Sequence, residues 1–167
     1  MFAGIALSLT GCATEYHGNN SEIDGTLWRQ IAAFEDPLNR SLYQPWVNEP
    51  GAYLDSLQGE VWSGSVASAA DLDLREGGVV LYDTSSTDST AALSVFIASG
   101  PRPDVPTDQG QEYKGPSQVF TCYRMEAAFS AEAAPSVGRI TVDDCPPALI
   151  DLMPDGAAFA SGEVFDG

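Results

Sequence analysis

Between residues 21 and 37 the apolar positions follow a helical period. Leu27, Trp28, Ile31 and Phe34 keep the i, i+1, i+4, i+7 spacing of one buried stripe. Ser21 or Asp24 is placed to cap this helix, and Pro37 is expected to end it because proline lacks the amide that the next turn needs. Residues 38–50 hold Tyr43, Trp46 and two prolines and read as an irregular connector with apolar anchors. Tyr53, Leu54, Leu57, Val61 and Trp62 fit a second helix, although Gly59 and Gly64 weaken it and 61–66 suits extended chain as well.

After Gly77-Gly78 the period changes to two. Residues 79–83 predict a short strand and 84–89 a polar turn; Ala91, Leu93, Val95 and Ile97 then alternate with Ala92, Ser94, Phe96 and Ala98 as a well-buried second strand. Pro101, Pro103 and Pro106 mark 100–115 as a loop, since proline breaks ladder pairing. Strands are expected at 119–129 and 137–144 around a turn at 130–136, with a helical turn at 148–153. Helices followed by strands joined through short turns predict an α+β fold: N-terminal helices packed on one face of a roughly four-stranded antiparallel sheet.

Composition adds that this is one folded unit. A chain of 167 residues with 44% hydrophobic content is long enough for one core and apolar enough to offset its ordering entropy. Its net charge is -17 and Lys114 is its only lysine, so nucleic acid is not an expected partner: phosphate backbones need basic stripes. An acidic, soluble exterior is the ordinary reading of such charge.

The amino-terminal stretch is different in kind. Residues 2–9 form a short uncharged apolar run, too short for a permanent membrane span, followed by Leu9-Thr10-Gly11-Cys12. This run resembles the lipobox of bacterial lipoproteins, an aliphatic residue and two small residues before an invariant cysteine. The resemblance covers the first twelve residues. It implies that 1–11 is a signal peptide, that Cys12 is lipidated and becomes the mature amino terminus, and that the domain is held on the exterior of the cell membrane. Two acyl chains suffice for stable anchoring. Side-chain charge is absent before Glu15, so the basic start of a signal peptide is expected to lie upstream. Polar residues 12–22 read as a lipidated tether, leaving 23–167 as the domain.

Export has a consequence for the other two cysteines. Outside the cytoplasm Cys122 and Cys145 are expected to pair. If they face each other across a hairpin, Met125 opposes Val142, Ala127 opposes Ile140 and Arg124 opposes Asp143, and the turn centres on Ala133 and Ala134. This register would put Tyr123, Met125, Ala127, Phe129, Ile140 and Val142 on one apolar face, with Arg124, Glu126 and Arg139 on the other. The segment also resembles, over about 25 residues, the closing hairpin of small exported actinobacterial proteins without an assigned activity.

Candidate chemistry is sparse. His17 is the only histidine and falls in the expected tether, which leaves no base for a Ser-His-Asp or Cys-His site and no histidine ligand for zinc within the domain. Asp71 with Asp73, Asp83 with Asp88, and Asp143 with Asp144 read as solvated turns. Asp104, Asp108 and Glu112 are weak candidates for a cation loop, with spacing unlike an EF-hand. No catalytic residue and no cofactor is assigned. The expected function is a non-enzymatic binding module of the cell envelope, recognising a protein, peptide or wall component. The alternatives are a small carboxylate-dependent hydrolase of wall polymer and a cation or ligand sensor.

Overall fold

The computed structural model describes residues 15–16, 21–41, 49–102, 115–133 and 135–161. In chain order the elements are β1 (Glu15–Tyr16), α1 (Ser21–Ser41), α2 (Pro50–Asp55), β2 (Glu60–Val61), α3 (Val66–Ala69), β3 (Gly78–Ser86), β4 (Thr90–Ala98), β5 (Val119–Ala128), β6 (Ser136–Thr141), α4 (Pro147–Ile150) and β7 (Ala158–Ala160). The fold is α+β, as the pattern predicts, but the sheet is larger. Its seven strands run β1-β7-β5-β4-β3-β2, with β6 also on β5. The β3-β4-β5-β6 core is antiparallel, while β2 on β3, β7 on β5 and β1 on β7 are parallel edges. Those edges come from segments of two or three residues, too short to show any period.

Both faces of the sheet are covered, not one. Against the first face, α1 and α2 lay Ile23, Leu27, Ile31, Phe34 and Tyr53 over Leu81, Leu93, Val95, Ile97, Tyr123 and Met125. We call this the helix face. Against the second, the coil face, α3, α4 and irregular chain bury Trp62, Leu74 and Leu149 over Val80, Tyr82, Phe96 and Phe120. Double coverage explains why all of 91–98 is buried although its small and large residues alternate.

Several local expectations change. The buried stripe of α1 uses Ile23 in place of Trp28, which is 55% exposed. The helix also runs through Pro37 to Ser41: a proline removes one hydrogen bond, and a helix already pinned by four buried residues on its earlier turns tolerates that loss. The second expected helix stops at Asp55, and Glu60–Val61 pairs with β3 instead. β3 continues past Asp83 to Ser86 through a bulge, with Asp83 at φ 49, and the turn tightens to residues 87–89, where the Thr87 amide donates to the Thr90 carbonyl at 2.8 Å. The chain expected to be a tether is partly ordered: β1 pairs with β7, and α1 begins at Ser21.

The disulfide Cys122–Cys145 is present, with Cα atoms 5.6 Å apart, but the hairpin register is not the one expected from it. Met125 opposes Arg139, not Val142; Ala127 opposes Val137, not Ile140; Arg124 opposes Ile140, not Asp143. An offset of three residues, being odd, exchanges the two faces of β6. Arg139 therefore stands on the helix face and Ile140, 44% exposed, on the coil side. The cause lies in where Cys122 points. Its side chain belongs to the coil face, so β6 ends at Thr141 and the chain passes onto that face, where Val142 packs partly buried and Cys145 meets Cys122. The vacant edge of β5 beside Val119 and Phe120 is filled by β7.

Candidate functional site

Two polar assemblies stand out among the described residues. The first lies between α1 and the sheet. The register of β6 puts Arg139 over Met125 and beside Tyr123, and the turn of α1 after buried Phe34 brings Glu35 to it. Arg139 Nη2 donates to Glu35 Oε2 at 2.8 Å and to Oε1 at 2.9 Å, and Nε donates to Oε1 at 3.2 Å. Both side chains are about one-fifth exposed, at 20% and 18%. The guanidinium also lies 4.9 Å from the centre of the Tyr123 ring, a cation–π contact.

Two tyrosines complete this assembly. Burial, then the Glu35 charge, pushes the Tyr53 hydroxyl up to about 12. The same causes raise Tyr123 further, its hydroxyl beside the Glu35 carboxylate but without a hydrogen bond of regular geometry. The Tyr53 hydroxyl is buried with no partner, and its ring meets Phe129 edge-on at 5.7 Å. Chemically this is a clasp. Glu35 is occupied by arginine on both oxygens, and tyrosines held protonated far above neutral pH are poor bases and poor nucleophiles. The group ties α1 to β6 and fixes which face of β6 turns inward.

The second assembly is a rim at the end of the sheet where β3, β5 and β7 start and β4 finishes. Gln118 Nε2 donates to the Arg75 carbonyl at 2.6 Å, and Gln30 Nε2 of α1 to the Ser99 carbonyl at 3.3 Å. The Arg102 amide donates to the Ser117 carbonyl and the Ser117 amide to the Gly156 carbonyl, each at 3.1 Å. Gly77 (φ +88) and Gly100 (φ +74) touch backbone to backbone: a Cβ on Gly77 would meet the Gly100 nitrogen at 2.7 Å, and one on Gly100 the Glu76 carbonyl oxygen at 2.5 Å. Segments 74–78, 99–102, 115–118 and 154–157 are thus interlocked into one surface.

The residues singled out from sequence fall in different places. Cys12, His17, Trp46 and the weak cation candidates Asp104, Asp108 and Glu112 lie outside the described residues. The turn carboxylates Asp71, Asp73, Asp83, Asp88, Asp143 and Asp144 are exposed and not assembled. Among the described residues no group of three or more His, Cys, Asp or Glu could hold a metal ion, and no helix is long and apolar enough to cross a membrane. Trp62 is core, its indole N–H donating to the Ser65 carbonyl at 2.8 Å, whereas Trp28 is exposed. The register expected from the cysteines puts Arg139 on the polar face and so hides the clasp; its one signal in the sequence is Glu35, one residue past the apolar stripe. No family model, curated protein or solved structure matches the chain.

Proposed function

We propose that the protein is a lipoprotein of the bacterial cell envelope, anchored through lipid on Cys12, whose acidic domain acts outside the membrane as a non-enzymatic binding module. The carrying observation is the run of 2–9 followed by Leu9-Thr10-Gly11-Cys12. The domain that follows supports the reading: it is closed by a disulfide, which persists in oxidising compartments. In the clasp Glu35 is held on both oxygens by Arg139, and the turn carboxylates Asp71, Asp73, Asp83, Asp88, Asp143 and Asp144 are exposed and dispersed, as suits a module that presents surface.

Metabolic labelling with a fatty-acid analogue in a bacterial host, with a short basic segment fused ahead of residue 1, tests the anchor. Label is expected on the wild-type chain and absent from Cys12→Ser. Label on neither protein, or equally on both, sinks the anchor. Fragment release from purified wall polymer by the lipid-free domain would replace the binding module with a hydrolase.

A further inference from the structure

The first strand of the sheet starts three residues after Cys12. Three extended residues reach about 10 Å, so an anchor on Cys12 leaves almost no slack between lipid and sheet. The direction of departure is fixed as well. β1 is parallel to β7 and β7 to β5, with Glu15 level with Phe159 and Phe159 level with Phe120. The chain before Glu15 therefore leaves at the end of the sheet where β5 and β7 begin, which is the interlocked rim.

We infer that this rim, formed by 74–78, 99–102, 115–118 and 154–157, is a membrane-apposed surface that rests on the lipid headgroups, and that the tips of the β3–β4 and β5–β6 hairpins point away from the bilayer. This rests on the proposed lipidation of Cys12. Charge distribution agrees with it. In a chain of net -17, the described residues of these four segments balance Arg75 and Arg102 against Glu76 and Asp155, with Asp73 one step behind. An anionic headgroup layer repels such a patch less than it would one carrying the chain's average acidic charge. The rim is also stiff, since its four segments are tied by hydrogen bonds and by the Gly77–Gly100 contact. A short tether on a stiff rim holds a domain in one attitude, where a ten-residue tether would let it tumble.

The test couples the full chain, disulfide oxidised, through the Cys12 thiol to a maleimide phospholipid in vesicles of phosphatidylcholine and phosphatidylglycerol. A donor dye is placed by an encoded azido residue at Ser117 or at Ser130, and acceptor dyes are carried on headgroups. The ten residues of β5 separate these positions by about 30 Å. Energy transfer from position 117 is expected to be at least about twofold that from 130, and a Gly/Ser insertion of ten residues after Thr14 should abolish the difference. Equal transfer from both sites without the insertion, or stronger transfer from 130, overturns the inference. Because the lipid is attached chemically, this result stands whether or not cells lipidate Cys12, which the metabolic label answers separately.

Discussion

The two faces of the sheet are covered in different ways. On the helix face, a 21-residue helix and a short one lay down an apolar stripe, and the charged residue of β6 that faces them is met by a carboxylate from the helix. On the coil face the covering chain has two helices of four residues each and little repetitive hydrogen bonding of its own. It is attached by Cys122–Cys145 and by side chains that plug the sheet, Trp62, Leu74 and Leu149. A regular layer is positioned by its period and trimmed by an ion pair. An irregular layer needs a covalent tie, because each of its residues gives up chain entropy without a helix's cooperative return.

High pH should strain both faces together, and by the largest amount. Tyr53 on the helix face and Tyr82 on the coil face are each raised to about 12, chiefly by burial. A tyrosine with folded pKa above its unfolded value of about 10 contributes stability that is fully present below pH 10 and lost as pH rises through 12. The loss approaches about 2 to 3 kcal/mol for each ring. Denaturant midpoints should be flat to about pH 9 and fall steeply after pH 10, and Tyr53→Phe or Tyr82→Phe should each make the fall shallower. A shallower fall in only one variant breaks the symmetry between faces, and an unchanged slope in both removes the tyrosines as its cause.

Removing the covalent tie comes next. Cys122→Ser with Cys145→Ser opens a closure of 23 residues in sequence and should cost about 3 kcal/mol. Hydrogen exchange should then show 142–157 opening before α1. Simultaneous opening of α1 would mean the layers are not separable.

Breaking the ion pair is smaller. Arg139→Met leaves Glu35 partly buried and uncompensated and should cost about 2 kcal/mol, between exposed and fully buried pairs. Adding Glu35→Leu should recover part of it, a coupling that urea melts of the four proteins measure. The smallest effect distinguishes the two tyrosines at neutral pH. The Tyr53 hydroxyl has no partner, so Tyr53→Phe should be neutral or stabilising by up to about 1 kcal/mol. Tyr82 stands opposite Ser94 in the β3–β4 register, so Tyr82→Phe removes a hydroxyl with a polar neighbour and should lose up to about 1 kcal/mol.

The helix face was the more legible in sequence. Leu27, Ile31 and Phe34 announce it, and the alternation of 91–98 announces the strand beneath. Trp28 is apolar but off the stripe: residues 23, 27, 31 and 34 define a helical face whose angle leaves 28 outside. The coil face was hidden because Leu72, Leu74, Val142, Leu149 and Met153 share no period. The cysteine pair was legible, but which strand residues it set opposite one another was not. A disulfide fixes two Cα atoms within a few ångströms and says nothing about whether both lie on the ladder. Of the candidate site, Cys122–Cys145 was readable; Glu35 with Arg139, 104 residues apart, depended on the register.

β4 has a consequence for how the chain reaches this state. Residues 91–98 are all buried once the sheet is complete. Before that, Ala-Ala-Leu-Ser-Val-Phe-Ile-Ala is an uncharged, proline-free stretch whose composition favours pairing with copies of itself. One edge is guarded early, because β3 precedes β4 by a turn of three residues closed by Thr87 and Thr90. The other edge waits for β5, whose first residue is Val119. Until that partner arrives, the strand that makes the finished domain most secure is the one most exposed to aggregation.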